Sequence, residues 1–293
     1  MRAWLAALLL AAAPLAAAGP TAASAATPPV APEPTLRVGF VPSAPPFVVR
    51  DPHGNLTGFS VALFDAIAAR LKRSAIFTEA PLPELIEQLA DGKLDVLPGP
   101  IPATPDRAAE MLFTEGYVWS EDQFATREGT PLTALSGLHG MRLAVQAGSE
   151  YAEWAARNTD RLGFAILSEA TVPKVFDAVR LGTADASLTD SVALRGALVF
   201  APKDGAQLAP ALSLPETRTH MAMAVGVDEV DLRDEIEDAL RCLKQDGTVA
   251  KLSSIWLGAT PGPEDLENLL TPGYGVPGLS GYDPKPRKVH CGQ

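Results

Sequence analysis

Two stretches of this chain repeat one succession, a short apolar strand followed by an apolar-striped helix, and that repetition limits the fold more than any other feature. In the first stretch Leu36, Val38 and Phe40 alternate with Arg37 and Gly39, as in a strand with one apolar face. Residues 42–46 are Pro-rich and enforce a loop, and residues 51–55 (DPHGN) form a turn cluster. Val61, Phe64, Ala68 and Leu71 then recur at helical spacing. Pro83 stands where a second helix can start, Leu85, Ile86 and Leu89 follow, and Asp91-Gly92 stops it before an apolar strand at 94–97. The middle of the chain does the same. Residues 142–146 read as a strand, Gly148-Ser149 opens a helix through Trp154, and 164–167 is another strand. Val172, Val175, Phe176 and Val179 line a helix that stops at Gly182, before a strand at 186–189 that ends at Asp190. This β-α-β-α order predicts two α/β units, roughly 36–126 and 131–218.

Two apolar, strand-like stretches, 117–126 and 220–227, connect these units. Two such crossings predict that the chain leaves a first lobe and later returns to it. The return is marked by the stripe Leu232, Ile236, Leu240 and Leu243, ended by Asp246-Gly247, and by the closing Ile255-Trp256-Leu257-Gly258. The expected organisation is lobe 1 from 36–126 plus 219–259, lobe 2 from 127–218, and a Pro/Gly-rich C-terminal tail at 260–293. Ahead of them, Met1-Arg2, a Leu/Ala run broken only by Pro14, and Ala23-Ser24-Ala25 read as a cleaved secretory signal peptide over 1–26. The Pro-rich residues 27–35 read as a flexible leader. The mature protein is therefore expected in a bacterial periplasm.

Charge narrows the partners. Thirty-five acidic residues face 24 basic ones, a net charge of -11, and no Lys/Arg cluster tracks a phosphate backbone, which argues against nucleic acid and anionic membranes. In an oxidising compartment Cys242 and Cys291 can pair and tie the tail to a late helix, worth about 4 kcal/mol in the chain-entropy model; two free thiols remain the alternative. Other motifs fail. Gly273-Tyr274-Gly275-Val276-Pro277-Gly278 matches GxGxxG but lacks a strand before it and a helix after it. His53, His139, His220 and His290 show no metal-ligand spacing. No paired catalytic motif is present, so no catalytic residue, metal or cofactor is expected.

Four segments, in order and spacing, resemble the bacterial family 3 extracellular solute-binding proteins of the amino-acid type. They are Pro45-Pro46-Phe47 with Gly58-Phe59-Ser60-Val61; Asp91-Gly92-Lys93-Leu94-Asp95 with Thr104-Pro105-Asp106-Arg107; Ala147-Gly148-Ser149; and Ala184-Asp185-Ala186 through Thr189-Asp190. The resemblance runs from Leu36 to Gly258. It implies a type II periplasmic binding fold, two α/β lobes joined by a two-strand hinge, and a ligand bridging the cleft. It also implies a binding set of Arg107, Asp190, Ser149, Pro100, Thr104, Phe47 and Gln146. The chemistry agrees. Arg107 offers a planar fork for a carboxylate, Asp190 accepts from an ammonium, and Ser149 lies at an anion-favouring helix N-terminus. The bland alternatives are a surface ion pair for Arg107 with Asp106, and helix caps for Asp190 and Ser149. Pro102 departs from the family by occupying a usual hydroxyl position, and Ala44 and Leu82 stand where many members clamp the ligand with aromatic rings. Phe47 and Trp119 are the remaining rings, as cavity walls or as core and hinge packing.

The function implied is capture of a small zwitterion, an amino acid, for an ABC importer, by a monomer whose partner is the transporter's permease. Two rivals share the fold: an accessory protein of a periplasmic quinoprotein dehydrogenase, and a cyclohexadienyl dehydratase-like enzyme.

Overall fold

A computed structural model describes residues 35–41, 44–200, 204–258, 270–286, 288–289 and 291. The segments read as signal peptide and most of the leader lie outside the described residues. The strands are β1 (Leu36–Phe40), β2 (Val49–Arg50), β3 (Leu56–Thr57), β4 (Ala75–Glu79), β5 (Val96–Pro102), β6 (Met111–Phe113), β7 (Val118–Arg127), β8 (Arg142–Gln146), β9 (Ala165–Glu169), β10 (Ala186–Asp190) and β11 (Leu208–Gly226). The helices are α1 (Phe59–Leu71), α2 (Leu82–Ala90), α3 (Pro105–Ala108), α4 (Glu150–Leu162), α5 (Val172–Leu181), α6 (Ser191–Val199), α7 (Val230–Gln245) and α8 (Thr248–Trp256).

One sheet runs through the molecule in the order β4-β1-β5-β11-β7-β10-β8-β9, with β6 on β11. Its ends are parallel: β1 pairs β4 and β5, and β8 pairs β9 and β10. Its middle is antiparallel, because β7 and β11 pair with each other and each also pairs with one end. Each parallel end needs helical crossovers and is buried on both faces, which defines two α/β lobes.

Alternation along the strands divides each lobe's core in two. In the first lobe Val38, Phe40, Phe64, Val225 and Leu240 pack on one face, and Leu85, Leu97, Ile101, Phe113 and Ala224 on the other. In the second lobe Leu143, Val145, Ala155 and Leu188 form one cluster, and Ala144, Val175, Val179 and Leu194 the other. Burying one such large apolar side chain stabilises by about 1.5–3 kcal/mol.

The two lobes carry the same brace. Arg37 on β1 donates its amide to Asp95 at 2.7 Å, pairs its guanidinium with that carboxylate, and reaches the Gly92 carbonyl. Arg142 on β8 repeats this with Asp185, 2.8 Å from its amide, and with the Gly182 carbonyl. Each brace ties the turn after a helix to the first strand of its lobe. Gly182 ends α5 at φ 77°, a conformation that favours glycine.

Helix α6 joins the lobes. Val192 enters the first-lobe core, whereas Leu194 packs in the second. Gly196 faces Pro46 so closely that a Cβ there would lie 2.3 Å from the proline ring. Phe200, just past the helix, meets Trp256 of α8 at 6.3 Å between ring centres.

Part of the segment read as a tail is packed structure. Tyr274 is 2% exposed, Val276 joins the first-lobe core, and Cys291 is disulfide-bonded to Cys242 of α7. Periodicity missed this because two apolar anchors between turns carry no repeat. Beneath the segment, Arg241 pairs with Glu115 at 3.1 Å and Glu237 at 2.8 Å, and Lys244 pairs with Glu115 at 2.8 Å. The Thr271 hydroxyl and the Gly275 amide donate to Glu115 and Glu237. The Arg241 guanidinium lies 4.8 Å from the Tyr274 ring centre.

Candidate functional site: an acidic cavity between the lobes

Strand β5 leaves the first lobe at Pro102, and Thr104 caps the short α3 by accepting from the Arg107 amide at 3.4 Å. Pro105 at the first helical position suits the missing N–H there. The Arg107 guanidinium is half-buried and donates to the Pro102 carbonyl at 3.1 Å. Among the described residues no carboxylate pairs with it, so the surface ion pair with Asp106 is not formed.

From the second lobe, β10 ends at Asp190. One oxygen of Asp190 caps α6, accepting from the Ala193 amide at 2.7 Å and from Ser120 at 3.4 Å. The cap and a ligand role are compatible, because a carboxylate has about four acceptor sites.

A cavity of about 240 Å³ lies between these groups. Pro102 and Thr104 line it from the first lobe. Ser120, Glu121, Asp122, Thr217, Thr219 and Met221 line it from β7 and β11. Glu150, Tyr151, Trp154, Arg157 and Asp190 line it from the second lobe. Arg107 does not line the cavity: its guanidinium donates to the Pro102 carbonyl, yet it is near enough for its charge to lower the Tyr151 pKa.

The remaining sequence-predicted residues lie elsewhere. Ser149 caps α4, accepting from Ala152 at 3.2 Å and donating to the Gln146 carbonyl at 2.6 Å; neither Ser149 nor Gln146 lines the cavity. Phe47 is 1% exposed in the first-lobe core, edge-on to Phe59 at 6.1 Å. Pro100 is inside β5, off the lining. Trp119 packs on His220 at 4.1 Å with Arg218 over its face, which makes it part of the hinge packing.

Electrostatics sets this cavity apart. Burial pushes the Asp122 carboxyl up to about 7, with Glu150 and Asp190 adding to the rise and Thr217 opposing it by a hydrogen bond. Burial also raises Asp190, against the Ala193 amide. Tyr151 is raised well above its usual value, first by burial and then by Asp190, Glu150 and Asp122. Asp122, Glu150 and Tyr151 carried no signal in the sequence, being single polar residues among others. For Glu150 and Tyr151, the helix start at Ser149 pointed to the right neighbourhood, while Thr104 and Asp190, both expected from the sequence, line the cavity themselves.

Two α/β lobes, two shared strands and a charged cavity between them define a binding protein of the type II periplasmic fold. The chain belongs to the bacterial extracellular solute-binding proteins, family 3, whose model matches residues 36–259. It is 28% identical over 228 residues to the L-cystine-binding protein TcyJ of Escherichia coli (strain K12), covering 77% of this chain and 83% of that protein. It is 25% identical to the lysine/arginine/ornithine-binding periplasmic protein of the same organism, covering 75% of this chain and 86% of the relative. Among solved structures, an ancestral arginine-binding protein bound to arginine is similar, with a TM-score of 0.67 and 26% identity over 76% of this chain and 98% of that one. No described helix is long and apolar enough to cross a membrane.

Proposed function

We propose that this protein captures a free amino acid in the interlobe cavity, in the periplasm, and delivers it to an ABC importer through the permease. The observation that carries this is the placement of opposite charges. Asp190 lines the cavity without an ion pair, and Arg107, which is outside the lining, donates to the carbonyl of the lining residue Pro102 and has no carboxylate partner among the described residues. A buried carboxylate or ammonium without a partner costs several kcal/mol, so a zwitterion that meets both satisfies four groups at once. Arg107 takes the α-carboxylate through its fork, and Asp190 takes the α-ammonium.

In this reading lobe 1 comprises 36–126 with 219–259, lobe 2 comprises 127–218, and closure about β7 and β11 reports occupancy to the permease. The protein acts as a monomer, after removal of its signal peptide, without catalysis. The relatives named above support binding over the two rival readings, since each is a binding protein.

Thermal shift and calorimetry on the mature protein against the standard amino acids test this. A ligand at a hundredfold excess over Kd stabilises by about 2.7 kcal/mol. Arg107→Ala abolishes the shift while the unliganded unfolding curve stays in place. An unchanged shift in that variant overturns the role of Arg107.

A further inference from the structure

The cavity holds more negative charge than an α-ammonium can neutralise. Glu121, Asp122, Glu150 and Asp190 all line it, and none of them forms an ion pair among the described residues. The one cation in the wall, Arg157, pairs with Glu153 at 3.5 Å and is mostly exposed. Asp122 and Asp190 are register partners across β7 and β10. Side chains so placed stand about 4.5–5.5 Å apart at Cβ, and like charges there repel. Glu150, at the mouth of α4, adds its field to both. The Tyr151 hydroxyl, on a residue 8% exposed and in the same wall, has no hydrogen-bond partner among the described residues. The cavity is also small beside the usual range of about 300–1,000 Å³ for ligand pockets, which suits a single amino acid and not a peptide.

We propose that the ligand carries a second cationic group on its side chain, and that Asp122 and Glu150 receive it while Asp190 holds the α-ammonium. The ligand class is then an amino acid with an ammonium or guanidinium side chain. This rests on the zwitterion reading above and goes further by assigning the side-chain charge. Asp122 sits on a strand shared by both lobes and Glu150 on the second lobe, so a cation between them adds attraction across the hinge.

Calorimetry with arginine, its near-isosteric neutral analogue citrulline, and putrescine tests the two readings separately. Arginine binds about 100-fold more tightly than citrulline, in line with a partly buried charge pair. In the double variant Asp122→Asn, Glu150→Gln that ratio collapses to about threefold or less. Equal binding of arginine and citrulline by the wild-type protein overturns the second cation and leaves the zwitterion reading standing. Putrescine binding as tightly as arginine overturns the zwitterion reading and keeps the cationic site. A ratio that survives the double variant overturns the assignment to Asp122 and Glu150. Absence of binding by all three compounds overturns the proposed ligand class.

Discussion

Beneath the C-terminal segment, Glu115 and Glu237 are fully buried, and Arg241 and Lys244 neutralise them permanently. In the cleft, Asp122, Glu150 and Asp190 are gathered just as tightly and have no permanent cation among the described residues. The first arrangement holds a structure together whether or not anything is bound. In the reading proposed above, the second is completed by the cation that the ligand brings.

The largest test of this contrast is Arg241→Met, which takes from Glu237 its ion-pair partner, leaves Glu115 with Lys244 alone, and lowers stability by about 3–5 kcal/mol in urea denaturation. A loss under about 1 kcal/mol would mean that Glu237 is held mainly as the neutral acid and not through its ion pair. Burial and Glu115 already push Glu237 up to about 8. A raised carboxyl is favourable while protonated, so this cluster weakens as pH climbs through that value.

Asp190→Asn comes next. It keeps a side chain able to cap α6, so the unfolding midpoint holds, while ligand affinity falls by about 30- to 100-fold. A drop in stability without a drop in affinity would reduce Asp190 to a cap.

The pH dependence of binding follows. Asp122 starts near 7 in the free protein, faced by Glu150 of α4, Asp190 of β10, and Glu216 with Thr217 of β11. A bound cation lowers that value, so binding releases a proton below pH 7. Affinity for arginine therefore rises about tenfold between pH 5 and pH 7 and then flattens. Calorimetry in buffers of different ionisation enthalpy reads the released proton directly, and a flat profile would count against a cation at Asp122.

The smallest effect belongs to Gly196→Val, which is outside the cavity lining. Its side chain collides with Pro46, holds the lobes apart and weakens binding about fivefold, with both lobes still folded by circular dichroism. Unchanged affinity would show that α6 does not govern closure.

Much of the scaffold was legible because burial imposes a period. β1, β8, α1, α5 and α7 announce themselves through apolar residues two or three to four positions apart. β4 does not: it is an edge strand with Ile76 62% exposed, so no alternation forms. The long β11 was read only from its second half, because Pro210 and Pro215 interrupt the pattern and the pairing with β7 shifts at two points. At the site, Asp190 was found through a family motif and lines the cavity. Asp122 was not, since its meaning arises only from the register that sets it opposite Asp190. Phe47, offered as cavity wall or as core, packs in the core, since an aromatic beside a proline loop fits both equally well in sequence.

The first-lobe core draws on residues up to Val118, on Val192 of α6, and then on residues from Met221 to Val276, with the strands of the second lobe between the first and last of these groups. A chain made from its amino end therefore has the whole second lobe before it has α7. The half of the molecule that begins first must wait longest for its missing pieces, and the bond from Cys242 to Cys291 can form only once a further 49 residues have followed Cys242.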